Sequence, residues 1–266
     1  MEKMIERIDT LEIKMREIIN KDSEIQELLK DIFSDIEIED DQFLDFSIRT
    51  LLEYYSTLFI TKIESETFEK AKEYEEKGKS TLFVKELIKL YTILYMPVNV
   101  TFKESNLLYR KINLPLSFPL PLTVSTILAS LNVKNNYSVE LIDSEDTSFK
   151  FIEDEEENDV TLNISNYPTT ILSVVGKGKL VYGVKEKWEF ELIAGKIFED
   201  YDDEGDACII KANGSGILED QKEELVSAVK NNDEKFLKEF NNVNIESLND
   251  DLFNKSVEIF NRYLEN

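Results

Sequence analysis

Carboxylates are the only abundant side chains in this chain that could do chemistry. Fifty-five aspartates and glutamates stand against 31 lysines and arginines, with one cysteine and no histidine. The run Asp200-Tyr201-Asp202-Asp203-Glu204-Gly205-Asp206 follows the first half of a calcium loop. Such a loop places oxygen ligands at positions 1, 3 and 5, a glycine at 6 and a bidentate glutamate at 12. Asp200, Asp202, Glu204 and Gly205 match, but position 12 is Lys211 and the flanks read as strands. That excludes an EF-hand. The expectation is an acidic turn, with an oxygen-lined Ca²⁺ or Mg²⁺ site on Asp200, Asp202, Glu204 and Asp206 as its alternative.

Two further stretches hold acids and no base. Residues 31–40 contain Asp31, Asp35, Glu37, Glu39 and Asp40, and residues 151–160 contain Glu153, Asp154, Glu155, Glu156, Glu157 and Asp159. Clustered charge of one sign attracts an oppositely charged partner. Asp35, Glu37, Glu39, Glu153, Asp154, Glu155, Glu156 and Glu157 are therefore candidate contacts to a basic protein. Each cluster also has a plainer reading. Acids just before a helix favour its N-terminus, and the 153–159 run suits an exposed hairpin tip.

Catalysis finds little material. Without histidine there is no Ser-His-Asp or Cys-His machinery and no histidine-ligated metal. Cys208 follows an acidic loop, the reverse of the electropositive surroundings that activate a thiol. No catalytic residue is assigned, and no cofactor is expected beyond the alternative of Ca²⁺ or Mg²⁺. Gly176-Lys177-Gly178 looks like a phosphate loop only superficially. Such loops open a helix, whereas Leu180 to Tyr182 reads as strand.

The net charge of −24 sets the chain against nucleic-acid phosphates and anionic lipid surfaces. One cysteine forbids an internal disulfide. No apolar run approaches the roughly 18 residues of a membrane span, and Met1–Asn20 lacks the apolar core of a signal peptide. A cytoplasmic protein is expected, with no nucleic acid and no membrane as partner.

The elements that must position these residues divide near residue 97. Residues 1–96 read as helical. Met4, Ile8, Leu11, Met15 and Ile18 repeat at 4-3-4-3, a heptad seam. Ile8 and Leu11 are thus candidate contacts to a partner or to a second copy; the plainer reading folds the helix onto its own domain. Ser23 with Gln26 suggests a capping box. Phe43–Ile63 reads as a buried helix, and 65–77 as a charged helix ending at Gly78. Leu82–Tyr95 follows, N-capped by Ser80 or Thr81 and stopped by Pro97.

Beyond it, Val98–Phe102 alternates as a strand. The proline-rich segment Leu114–Leu122 suggests an extended arm or a crossover, and Thr123–Leu131 a short helix. Strands are expected at 139–142, 148–152, 160–164, 170–175, 180–182, 188–193 and 207–211, joined by short connections that favour antiparallel pairing. Trp188 fits either the core or a binding anchor. Asn213-Gly-Ser-Gly216 is turn chemistry. Helices follow at 219–231, 234–241 and 247–264.

The fold class is therefore α+β: a helical region 1–96, then 97–266 with a mainly antiparallel sheet and C-terminal helices. The function expected is a non-enzymatic, acidic protein–protein interaction or assembly protein, including a homo-oligomer through the N-terminal helix. One alternative is an acidic nucleic-acid mimic that fills a basic groove, as viral anti-defence and toxin-neutralising proteins do. The other is a carboxylate-based, metal-dependent enzyme.

Overall fold

The computed structural model describes residues 2–34, 38–134, 138–142, 148–151, 176–183, 187–201, 205–218 and 221–264. The expected strands at 160–164 and 170–175 lie outside them. The class is α+β, with helices toward both ends and a central antiparallel sheet. The chain forms two compact units: Met1–Leu94 with Phe198–Gly205, and Tyr95–Ile197 with Asp206–Asn266.

Unit 1 contains α1 (Glu2–Ile19), α2 (Ser23–Ile32), α3 (Asp40–Ile60), α4 (Glu66–Glu76) and α5 (Ser80–Ile93), with the short strand β7 (Phe198–Glu199). Of the heptad seam, Leu11 and Met15 are buried, beside Ile19, where α1 packs on α3 and α5, while Ile8 and Ile18 are half-buried. Leu11 thus serves its own unit's core. The cap of α2 also differs from expectation. Asp22, not Ser23, accepts from the N–H groups of Glu24 and Ile25 at 3.1 and 3.3 Å, and Gln26 reaches back to the Ile19 carbonyl at 2.7 Å. An extended aspartate just before the first turn answers the orphan donors directly.

Tyr55 centres the core. The rings of Phe59, Phe68 and Phe83 meet it edge-on at 5.1, 5.7 and 5.2 Å. Gly78 (φ +67°) ends α4 as expected, with Lys79 N–H on the Tyr74 carbonyl at 2.8 Å. The residue at the N-cap of α5 is Lys79, which makes no side-chain cap, rather than Ser80 or Thr81.

Unit 2 is built on the strands β1 (Leu94–Phe102), β2 (Tyr109–Pro115), β3 (Val139–Ile142), β4 (Ser148–Phe151), β5 (Lys177–Tyr182), β6 (Trp188–Ala194) and β8 (Cys208–Asn213). They run β4-β3-β5-β6-β1-β2-β8, every neighbouring pair antiparallel. Pro97 is no helix stop: β1 begins three residues before it. It tolerates an interior strand because the β6 ladder starts only at Val98, and the Pro97 carbonyl still accepts from Gly195 N–H at 2.7 Å. A Cβ on Gly195 would lie 2.8 Å from the Pro97 ring.

Of the two readings of the proline-rich segment, the fold shows a connection between elements and not an arm. Pro115 closes β2, Pro119 stands at the N-cap of α6 (Leu120–Ser130), and Pro121 lies in its first turn, where a missing N–H costs nothing. Leu114, Leu116 and Leu120 are buried. Helix α6 starts earlier than expected and is apolar nearly all round, packing on β2 and on the last helix. Four helices end the chain: α7 (Lys222–Asn231), α8 (Glu234–Phe240), α9 (Ile245–Asp250) and α10 (Leu252–Leu264). The single helix expected over 247–264 is broken at Asp251.

Trp188 is a core residue, 1% exposed and 5.0 Å from the Phe102 ring. The larger surprise is Arg110, fully buried on the core side of β2. It donates to the carbonyls of Ser130 (2.7 Å), Tyr109 (2.9 Å) and Asn213 (2.7 Å). Burial pushes its pKa down to about 10, which leaves it charged at neutral pH. Arg110→Lys keeps the charge but loses the planar fork that serves three acceptors. It is expected to lower stability by about 3 kcal/mol, read as an earlier urea midpoint with an unchanged slope.

Candidate functional site

The acidic loop is partly a structural device. Glu199 Oε1 accepts from the Ser65 hydroxyl and from Thr67 N–H (3.1 Å), and Oε2 accepts from the Tyr201 hydroxyl. Ser65 itself caps α4 through Phe68 N–H at 3.0 Å. Burial disfavours the Glu199 charge, but the Ser65 and Tyr201 hydroxyls and Thr67 N–H outweigh it and hold its pKa below the usual range. Glu199 thus answers the positive end of α4. Lys89 lies 4.8 Å over the Tyr201 ring.

Asp200 belongs to unit 1 and Asp206 to unit 2, and Asp202 and Glu204 lie outside the described residues. Among the described residues no three acids or cysteines converge as metal ligands do. Asp35, Glu37 and Glu153 to Glu157 also lie outside the described residues. Glu39 precedes α3 at its N-cap without bonding it. Gly176 (φ +65°) leads directly into β5, which already holds Lys177 and Gly178, so the pattern opens a strand rather than a phosphate-binding helix, and two of its three residues are strand rather than the turn expected. On unit 2 a depression of about 370 Å³ lies along β1, β5 and β6, where Lys103 pairs with Glu189 at 2.6 Å.

The concave surface on unit 1 is better built. Its centre is Phe59, near the C-terminal end of α3. The Arg7 guanidinium lies 5.2 Å from that ring's centre and the Lys72 ammonium 5.7 Å. Arg7 is held by a fork onto Glu75, with Nε to Oε1 at 2.7 Å and Nη2 to Oε2, and the Tyr55 hydroxyl donates to the same Oε2 at 2.6 Å. Burial raises the Tyr55 pKa, and its bond to the Glu75 carboxylate raises it further. Burial acts against the charge of Glu75, but Arg7 and Tyr55 outweigh it and depress its pKa.

On one side of Phe59 an apolar groove of about 240 Å³ is lined by Ile8, Leu11, Tyr55 and Ile60. Ile60 is 72% exposed. On the other side an open hollow of about 550 Å³ has Ile63, Phe68 and Lys72 in its wall. Glu66, Glu69, Glu73 and Glu76 of α4 border the same region. Of the residues expected at a partner site, the structure brings Ile8 and Leu11 together here. Phe59 and Ile60 were not anticipated. Their signal was Leu58-Phe59-Ile60, three consecutive apolar residues that one helix cannot all turn toward a core.

This surface offers shape and apolar area. No protein-family model matches the chain, and no curated protein matches it. Among solved structures it resembles a protein of unknown function, MM3350 from Methanosarcina mazei Go1. The identity is 13% and the TM-score 0.41, over 57% of this chain and 93% of that one.

A carboxylate with a depressed folded pKa adds stability that is complete above its unfolded pKa and lost as pH falls through the folded value. Glu75→Gln should therefore cost about 1–2 kcal/mol at pH 7. The gap from the unaltered protein should narrow toward pH 3, as followed by thermal melts across that range.

Proposed function

We propose that this chain is a non-enzymatic interaction protein that receives an amphipathic helix of another protein in the Phe59 groove. The observation that carries this reading is Ile60, 72% exposed beside the apolar side chains of Ile8, Leu11 and Phe59. Covering one such side chain contributes about 1.5–3 kcal/mol, and a rigid aromatic at the centre of a groove is a common anchor. The Arg7–Glu75–Tyr55 network fixes the groove wall, so little ordering is required on binding.

The α4 border selects the charge of the partner. Among the described residues, Glu66, Glu69 and Glu73 pair with Lys70 and Lys72 of α4 and with Lys77 at its C-cap. Exposed pairs of that kind contribute little and exchange readily. A helix with apolar residues at i, i+3 or i+4, and i+7, flanked by Lys or Arg, matches both surfaces.

A labelled amphipathic Leu/Lys helix is the probe, with a Leu/Glu helix of the same pattern as control. Fluorescence anisotropy should show the Leu/Lys helix binding the unaltered protein, and Ile60→Asp weakening it at least about tenfold. Equal affinity for Ile60→Asp and the unaltered chain would sink the groove.

A further inference from the structure

Among the described residues, β8 is the last strand on its side of the sheet. Its open side is met by a side chain rather than a strand. Asn249, in α9, accepts from Ile209 N–H through Oδ1 at 2.7 Å and donates to the Ile209 carbonyl through Nδ2 at 3.1 Å. That donor–acceptor pair is what a peptide group of a neighbouring strand would supply. The helix that carries it is short, six residues with none buried.

That helix lies along the same edge, and the strand beneath it is otherwise suited to pairing. The register of β2 with β8 slips between Lys111 and Ile112, leaving Ile210 as the extra residue, 49% exposed. Residues 207–217 carry a single charge, Lys211, in a chain of net charge −24. Two copies repel over most of their surface, and this stretch adds no negative charge to that repulsion. A two-fold axis through Ile210 would set Lys211 opposite Ile209 rather than against its own copy.

We infer that Asn249 is a stopper that keeps β8 from pairing with β8 of a second copy. Unpaired edge strands are templates for such pairing unless something blunts them. Here the bulge and the Asn249 amide blunt it together. The bulge turns the Ile209 peptide groups outward, and the amide answers them. The closed two-fold product is a dimer, not a filament.

Light scattering over a concentration series tests this on the full chain. The unaltered protein should keep one mass, and Asn249→Ala should associate, its dimer dissociation constant at least about tenfold tighter. Asn249→Asp, which keeps the acceptor but sets an oxygen against the Ile209 carbonyl, should shift the same way. It decides alone if the alanine variant fails to fold. Adding Ile210→Lys to either should restore the original mass, whereas adding Ile60→Asp should not, which separates this edge from the Phe59 groove. Unchanged mass in both Asn249 variants overturns the inference. So does association that Ile210→Lys leaves intact, or an unaltered chain already paired through this edge.

Discussion

Unit 2 is organised around the charge of Arg110. A buried guanidinium is costly unless its donors are answered; here carbonyls, not a carboxylate, answer Nε and Nη1, while Nη2 is buried with no partner among the described residues. The end of α6 supplies Ser130, the end of β8 supplies Asn213, and β2 itself supplies Tyr109. The ends of α6 and β8 and the start of β2 must therefore meet at one place. The glycines that follow Asn213 belong to the same constraint. A Cβ on Gly214 would lie 2.5 Å from the Leu107 carbonyl, and one on Gly216 would lie 2.6 Å from that of Leu131. Only a bare backbone passes there, and Ile217 N–H then bonds Leu131 at 2.8 Å. Arg110 draws the turn to the end of α6, and the glycines let it come close.

Arg110 also explains why β2 escaped notice. Tyr109-Arg-Lys-Ile-Asn-Leu-Pro115 alternates properly in the fold, half-buried with buried, but the first core position holds an arginine. A pattern read by hydropathy sees Tyr-Arg-Lys as polar and loses the strand. The neighbouring prolines act differently. Read as breakers, they suggested an arm or a crossover; in the fold they punctuate the join from β2 to α6, each where a backbone N–H is not needed. The strands at 98–102, 139–142 and 188–193 were legible because period-two burial coincides with apolar side chains. Trp188 and the Gly78 cap were legible for equally local reasons. The caps of α2 and α5 were not, since several polar residues competed for each position.

The candidate site was less legible than the fold. Acid runs drew the eye, yet Glu199 has a structural partner for each oxygen, and Glu75, outside every run, has the more demanding environment. Charge density along a sequence says where repulsion is, not where carboxylates converge. Convergence is tertiary. Phe59 and Ile60 left only a faint trace, an apolar run one residue too wide for one helix face. Ile8 and Leu11 were found because their spacing is helical, but the same spacing fits a self-packed helix, and Leu11 is indeed buried in its own unit.

Net charge and exposed apolar area then act together. At −24 the chain resists indiscriminate association, since copies repel at distances up to the screening length of the salt. That repulsion lets a protein present an exposed Ile60 without general aggregation. It also concentrates any contact at surfaces where carboxylates are few or already bonded. Around Phe59 the nearest cations, Arg7 and Lys72, are each tied to a glutamate, Glu75 and Glu69, so the groove floor is close to neutral within an acidic surround. In the binding role proposed above, a basic, amphipathic partner would be drawn by the surround and held by the floor, and an acidic one would be repelled before the floor is reached. Selectivity in that role would come from the contrast between the field and the uncharged surface it surrounds.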